Sequence, residues 1–200
     1  MTSRLDEQLA REIAAAFQMP SVQTMVSRKS SITNAFVNAI IPTVVPTPDE
    51  IHEALTILGM VPSDVRCAYC GDKKTEWDHL RPIVFQQRPT GYISEIANLV
   101  PSCGKCNQSK RNANWREWML GGRGLSPSAR NIADIIDRVA RLEAYEKWRT
   151  PTKIDFAAIV GQDDWEAYWR LWTDVNEELR KCQDFAIDLR QRIAMAIRAT

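Results

Sequence analysis

Two C-x-x-C pairs constrain this chain more than any other feature: Cys67 with Cys70 and, after 32 intervening residues, Cys103 with Cys106. Four thiolates in two such pairs suit tetrahedral Zn²⁺ in a closed structural site. Each pair sits in knuckle-like sequence, "CAYCG" and "CGKCN", where Gly71 and Gly104 let the backbone turn tightly around a metal. A redox C-x-x-C opens a helix after a strand and occurs once, so two pairs point to metal. With cysteine at all four positions the zinc has no open coordination site, and any reaction needs other residues.

The rest of the composition describes an ordinary soluble globular chain of 200 residues, 44% hydrophobic and 26% charged. The formal net charge of +1 excludes a globally basic nucleic-acid binder, so any basic surface must be local. "MTSRLDEQLAREIAAAF" is amphipathic and acidic, without the apolar core of a secretory signal. No run approaches the roughly 18 apolar residues of a membrane span. A cytoplasmic protein with reduced thiols is expected, and in that compartment paired cysteines bind metal more often than they form disulfides.

Residues 1–66 read as a helical region. Leu5, Leu9, Ile13 and Phe17 recur every fourth residue before Pro20; Ile32, Phe36, Val37 and Ile40 share a face before Pro42. Thr47 should cap a third helix opened by Pro48, with Ile51, Leu55 and Leu58 inward. His52 on that helix reads as a solvated residue without a role. Residues 67–120 change texture to turns, short apolar runs and cysteine pairs.

Residues 121–200 return to helix. Ser126, with Pro127 at the first helical position, or else Ser128, should cap a helix running through Ile132, Ile135, Ile136, Val139 and Leu142. From Asp163 to Ala199 there is no Pro or Gly, which predicts a helix roughly 50 Å long. Tyr168, Trp172, Val175, Leu179, Cys182, Ala186, Leu189, Ile193 and Ala196 form a heptad seam along it. The seam packs on the N-terminal helices or forms a homodimer interface. Cys182 is expected as a small core residue.

Between the zinc pairs, "TEWDHLRPI" reads as a short strand broken by Pro82, followed by a loop and "GYISEIANLVPSC"; "CNQSKRNANWREWML" is helical by periodicity from about Asn107. Here the chain resembles the zinc-stapled HNH nucleases of the ββα-metal fold, over roughly Cys67 to Trp118. Four elements carry the resemblance: C-x-x-C, then Asp78-His79 with an apolar residue and Pro82 following, then Asn98-Leu99 ahead of the second C-x-x-C, then Asn107 directly after it. The implied fold is mainly α with a small α+β module, a central HNH core flanked by helices.

Carried over position by position, the resemblance makes His79 the general base that takes a proton from the attacking water. Asp78 becomes a carboxylate ligand to a catalytic divalent metal, Asn98 the brace of the loop presenting the histidine, and Asn107 the second metal ligand. The chemistry agrees. Imidazole titrates near neutral pH and can accept a proton without permanent charge. Carboxylate and amide oxygens suit hard Mg²⁺ or Mn²⁺. Trp77, Trp115 and Trp118 are expected as core around the zinc.

Lys110 and Arg111 lie three and four residues after Asn107 and are the expected backbone-phosphate contacts. From Cys67 to Arg130 ten basic residues face five acidic ones, a local +5 where a DNA substrate would sit. The expectation is therefore a metal-dependent DNA endonuclease, restriction-type, with structural Zn²⁺ and catalytic Mg²⁺ or Mn²⁺. The alternatives are a non-catalytic zinc-stapled DNA-binding module and a protein-interaction adaptor using the long helix.

Overall fold

Thr47 starts a helix by a reciprocal cap. Its hydroxyl accepts the Glu50 N–H at 3.3 Å while the Glu50 carboxylate accepts the Thr47 N–H at 2.8 Å, with Pro48 in the first turn. In the computed structural model, which describes residues 2–198 and side chains from residue 7 onward, this is α3, Pro48–Ile57, after α1, Thr2–Ala16, and α2, Lys29–Ile40. Ala54, Leu55 and Leu58 are buried; Ile51, expected inward, is exposed, because the buried face runs along 54, 55 and 58.

The zinc-pair region folds into a ββα unit. Strand β1, Glu76–His79, pairs antiparallel with β4, Leu99–Ser102, placing Asp78 opposite Val100 and His79 opposite Leu99. Between them β2, Val84–Phe85, and β3, Arg88–Pro89, form a small hairpin whose turn residues Gln86 and Gln87 both take positive φ, the geometry of a two-residue hairpin turn. Helix α4, Gly104–Lys110, follows β4 directly.

The helix expected to run on from Asn107 is two helices. Arg111 takes φ 51° and ends α4; Asn114 then caps α5, Trp115–Leu120, accepting the Arg116 and Glu117 N–H groups at 3.0 and 3.2 Å. The helix expected from Ser126 also begins later. Ser126 does cap a turn, accepting the Ala129 N–H at 3.2 Å, but Asn131 at φ 54° interrupts it and α6 spans Ile135–Trp148. Helix α7, Phe156–Val160, and α8, Gln162–Arg198, complete the chain.

The chain divides into two units, residues 30–174 and residues 2–29 with 175–198. The first holds two apolar cores. One surrounds the cysteines and includes Tyr69, Leu80, Val100, Trp115, Trp118, Met119, Leu142 and Tyr145. The other joins Val37 of α2 and Ile41 just after it to Ile83, Val84, Ile93, Phe156, Trp169 and Trp172. Trp115 and Trp118 are core as expected; Trp77 is 44% exposed, its ring under the Lys74 ammonium, because β1 turns that side of the strand outward. In the second unit Gln183 is buried and accepts the Met25 N–H at 2.7 Å. Cys182, expected in a core, is exposed there, as are the seam residues Val175, Leu189 and Ile193. Ala199 lies outside the described residues.

Candidate active site and zinc site

The four cysteines converge. Cys67, Cys70, Cys103 and Cys106 are all buried, and their sulfurs lie within 4.8 Å of one another. The Cys70 and Cys103 sulfurs are 3.7 Å apart, close to the spacing of about 3.8 Å that a tetrahedral ion sets with Zn–S bonds of about 2.3 Å. The donor set and its spacing fit zinc. The first knuckle closes through the Gly71 N–H on the Cys67 carbonyl at 2.8 Å and joins β4 through the Ala68 N–H on the Pro101 carbonyl, also 2.8 Å. Arg130 Nη2 donates to Cys106 Sγ at 2.9 Å, placing a cation beside the thiolates.

Directly above this staple, β1 ends in Asp78 and His79. Asp78 faces inward, 6% exposed, and its carboxylate accepts the Tyr69 hydroxyl at 2.6 Å and the Lys110 ammonium at 3.0 and 3.3 Å. Burial pushes the Asp78 pKa up despite the opposing effect of Lys110. Lys110 is itself fully buried and also donates to the His79 carbonyl at 2.8 Å. The zinc knuckle, the strand and the end of α4 are thus tied through one ion pair. Lys110 therefore does not stand with Arg111 as a surface cation: the i+3 step from Asn107 points it under the strand, and Arg111, left-handed at the helix end, is the exposed member.

His79 alternates to the other side of the strand, as period two requires. Its Nε2 lies 2.8 Å from Ser94 Oγ. Ser94 is fixed by its own backbone, its N–H on the Pro42 carbonyl at 3.1 Å and its carbonyl under the Val44 N–H at 2.9 Å. Burial, with the Lys110 charge nearby, lowers the His79 pKa to about 4, so the ring is neutral at pH 7. Asn98, fully buried, accepts the Arg81 N–H at 2.8 Å and donates to the Arg81 and Ile93 carbonyls at 3.1 and 3.3 Å. It clamps the chain just beyond His79, and the Tyr145 hydroxyl of α6 holds the same turn through the Leu99 and Ile96 carbonyls.

Asn107 lies on α4 beside Glu76, to which its Nδ2 donates at 2.9 Å. In kind, the oxygens of Asp78 and Asn107 fit a hard divalent ion, and among the described residues the Asn107 side chain is held through its Nδ2, leaving the amide oxygen without a donor. The competing cation on Asp78 is Lys110. Tyr69, Glu76 and Ser94 complete this arrangement, and no sequence spacing pointed to them. Of the ten local cations, Arg81, Lys110, Arg116 and Arg130 form ion pairs with Glu146, Asp78, Glu143 and Asp72. Lys105, Arg111 and Arg123 are exposed around α4.

Residues 67–113 match the family model described as HNH endonuclease, and the chain carries that domain there. No curated protein and no solved structure matches the chain. Among the described residues no helix is long and apolar enough to cross a membrane.

Proposed function

We propose that this protein is a divalent-metal-dependent HNH endonuclease that hydrolyses DNA phosphodiester bonds, with His79 as general base. The observation that carries the reading is the seating of His79: a neutral imidazole on the edge of a zinc-stapled ββα unit, oriented by Ser94, with Asn98 clamping the backbone beyond it. With Nε2 donating to Ser94 Oγ, Nδ1 keeps its lone pair for the proton of an attacking water. Asp78 and Asn107 would hold Mg²⁺ or Mn²⁺, which supplies charge neutralisation at the phosphate and the leaving oxygen. Lys105, Arg111 and Arg123 are the cations free to meet backbone phosphates.

A restriction-type role, in which two copies cut two strands, draws on the exposed seam of α8 at Val175, Leu189 and Ile193. A monomer in solution, on and off DNA, removes that part. A cytoplasmic setting suits five cysteines that form no disulfide. The second reading, a DNA-binding module without catalysis, is favoured by one feature: the Asp78 carboxylate is already engaged by Lys110 and Tyr69.

The test is incubation of zinc-loaded protein with methylated and unmethylated supercoiled plasmid and Mg²⁺ or Mn²⁺, beside His79→Ala, with the ends sequenced. Discrete fragments that disappear in the variant are expected. Plasmid that is bound yet intact under both metals would establish the binding module instead.

A further inference from the structure

A cavity of about 360 Å³ opens beside the zinc knuckle, lined by the chain after α3, by Gly71 and by α6. Three guanidiniums reach it. Two are balanced: Arg66 Nε lies 2.7 Å from Asp64, and Arg138 pairs with Asp134 at 2.8 Å while donating to the Cys67 carbonyl at 3.2 Å. The third, Arg141, forms no ion pair within 4 Å among the described residues, although its charge helps lower the Asp134 pKa from nearby. Three cations against two carboxylates leave the cavity one positive charge in excess and several N–H groups undirected.

Two glycines make the space. Gly59, at φ 70°, lies under the Arg141 side chain, where a Cβ would meet Nε at 3.2 Å. Gly71, at φ 78°, lies under Arg138, where a Cβ would sit 2.5 Å from Nη2. Both positions need a residue that tolerates left-handed backbone, and both bring a guanidinium over bare main chain. Leu58, Met60 and Val61 supply an apolar wall beside the charges.

We propose that this cavity binds a single nucleotide, its phosphate on Arg141 and Arg66 and its base or sugar against Met60 and Val61. Planar guanidiniums with unused N–H pairs match phosphate oxygens in twos, and their faces stack on flat apolar groups. Its volume is that of a small-molecule pocket, too small to hold a duplex. The nucleotide comes from one of two sources, a free mononucleotide or an unpaired nucleotide of a DNA strand.

The test uses the zinc-loaded full chain without divalent metal, so binding is read apart from hydrolysis. Deoxyadenosine monophosphate is titrated by calorimetry and a single-stranded dodecamer by fluorescence anisotropy, against wild type, Arg141→Gln and Val61→Glu. Zinc content and circular dichroism establish that both variants are folded. Mononucleotide binding weakened at least about tenfold by both variants identifies the free nucleotide. Dodecamer binding alone, weakened similarly and with a salt slope smaller by about one for Arg141→Gln, identifies the strand. No binding of either probe, or equal affinity in the variants, overturns the proposal. Plasmid cleavage by the same preparations reports on His79 separately.

Discussion

The His79 imidazole and the Ser94 hydroxyl stand 2.8 Å apart, and Ser94 is held by backbone bonds to Pro42 and Val44, well outside the HNH segment. The orientation of the proposed base is thereby set by the loop after α2. Ser94→Ala should lower kcat by about tenfold with little change in KM, since orientation and not substrate binding is lost. Ser94→Thr, which keeps the hydroxyl, should recover most of it. Steady-state nicking kinetics on plasmid check both; unchanged kcat in Ser94→Ala would remove the positioning role.

His79 also makes a pH prediction. Its folded pKa, about 4, lies below the ordinary 6.5 of histidine. The unfolded chain therefore takes up this proton first as pH falls. The stabilising contribution is complete above pH 6.5 and is lost as pH drops toward 4. A proton NMR titration of the zinc-loaded protein without divalent metal should place the His79 ring near 4. A midpoint near 6.5 would mean the ring is solvated.

The Lys110–Asp78 pair is buried on both sides. Lys110→Met leaves a buried carboxylate uncompensated and should destabilise by about 3–5 kcal/mol. Combining it with Asp78→Asn should cost less than Lys110→Met alone, because no charge is left unpaired. Urea denaturation of the three variants measures the coupling, and additive effects would contradict a shared network.

Cys103→Ser removes one ligand of the staple and should release zinc and unfold the unit of residues 30–174, since metal binding and folding are linked. Metal analysis and near-ultraviolet circular dichroism follow it. His79→Ala should retain both zinc and tertiary signal while losing cleavage. A zinc-free Cys103→Ser protein with native signal would show that the apolar core suffices.

Trp115 and Trp118 lie in the core around the cysteines as their place beside the second cysteine pair suggested; Leu80 and Val100 join them there through the pairing of β1 with β4. Other expectations failed where two local rules competed. Asn107 to Leu120 has continuous helical periodicity, yet Arg111 in left-handed backbone and Asn114 as a cap divide it. Trp77 and Cys182 are apolar by type, but each lies on a side of its element that no apolar core covers among the described residues.

By itself the sequence pointed to the four-cysteine cluster, the short strand carrying Asp78 and His79 and the helical flanks, because these depend on residues close in the chain or on ligand spacing. Tertiary structure decided what those residues meet. Lys110 is a buried counter-ion of Asp78; Ser94 stands beside His79 while its backbone bonds to residues 42 and 44; Arg141 faces an open cavity. Each of these outcomes depends on which distant group fills the space around a charge, and burial sets the strength of that charge through the solvent it excludes.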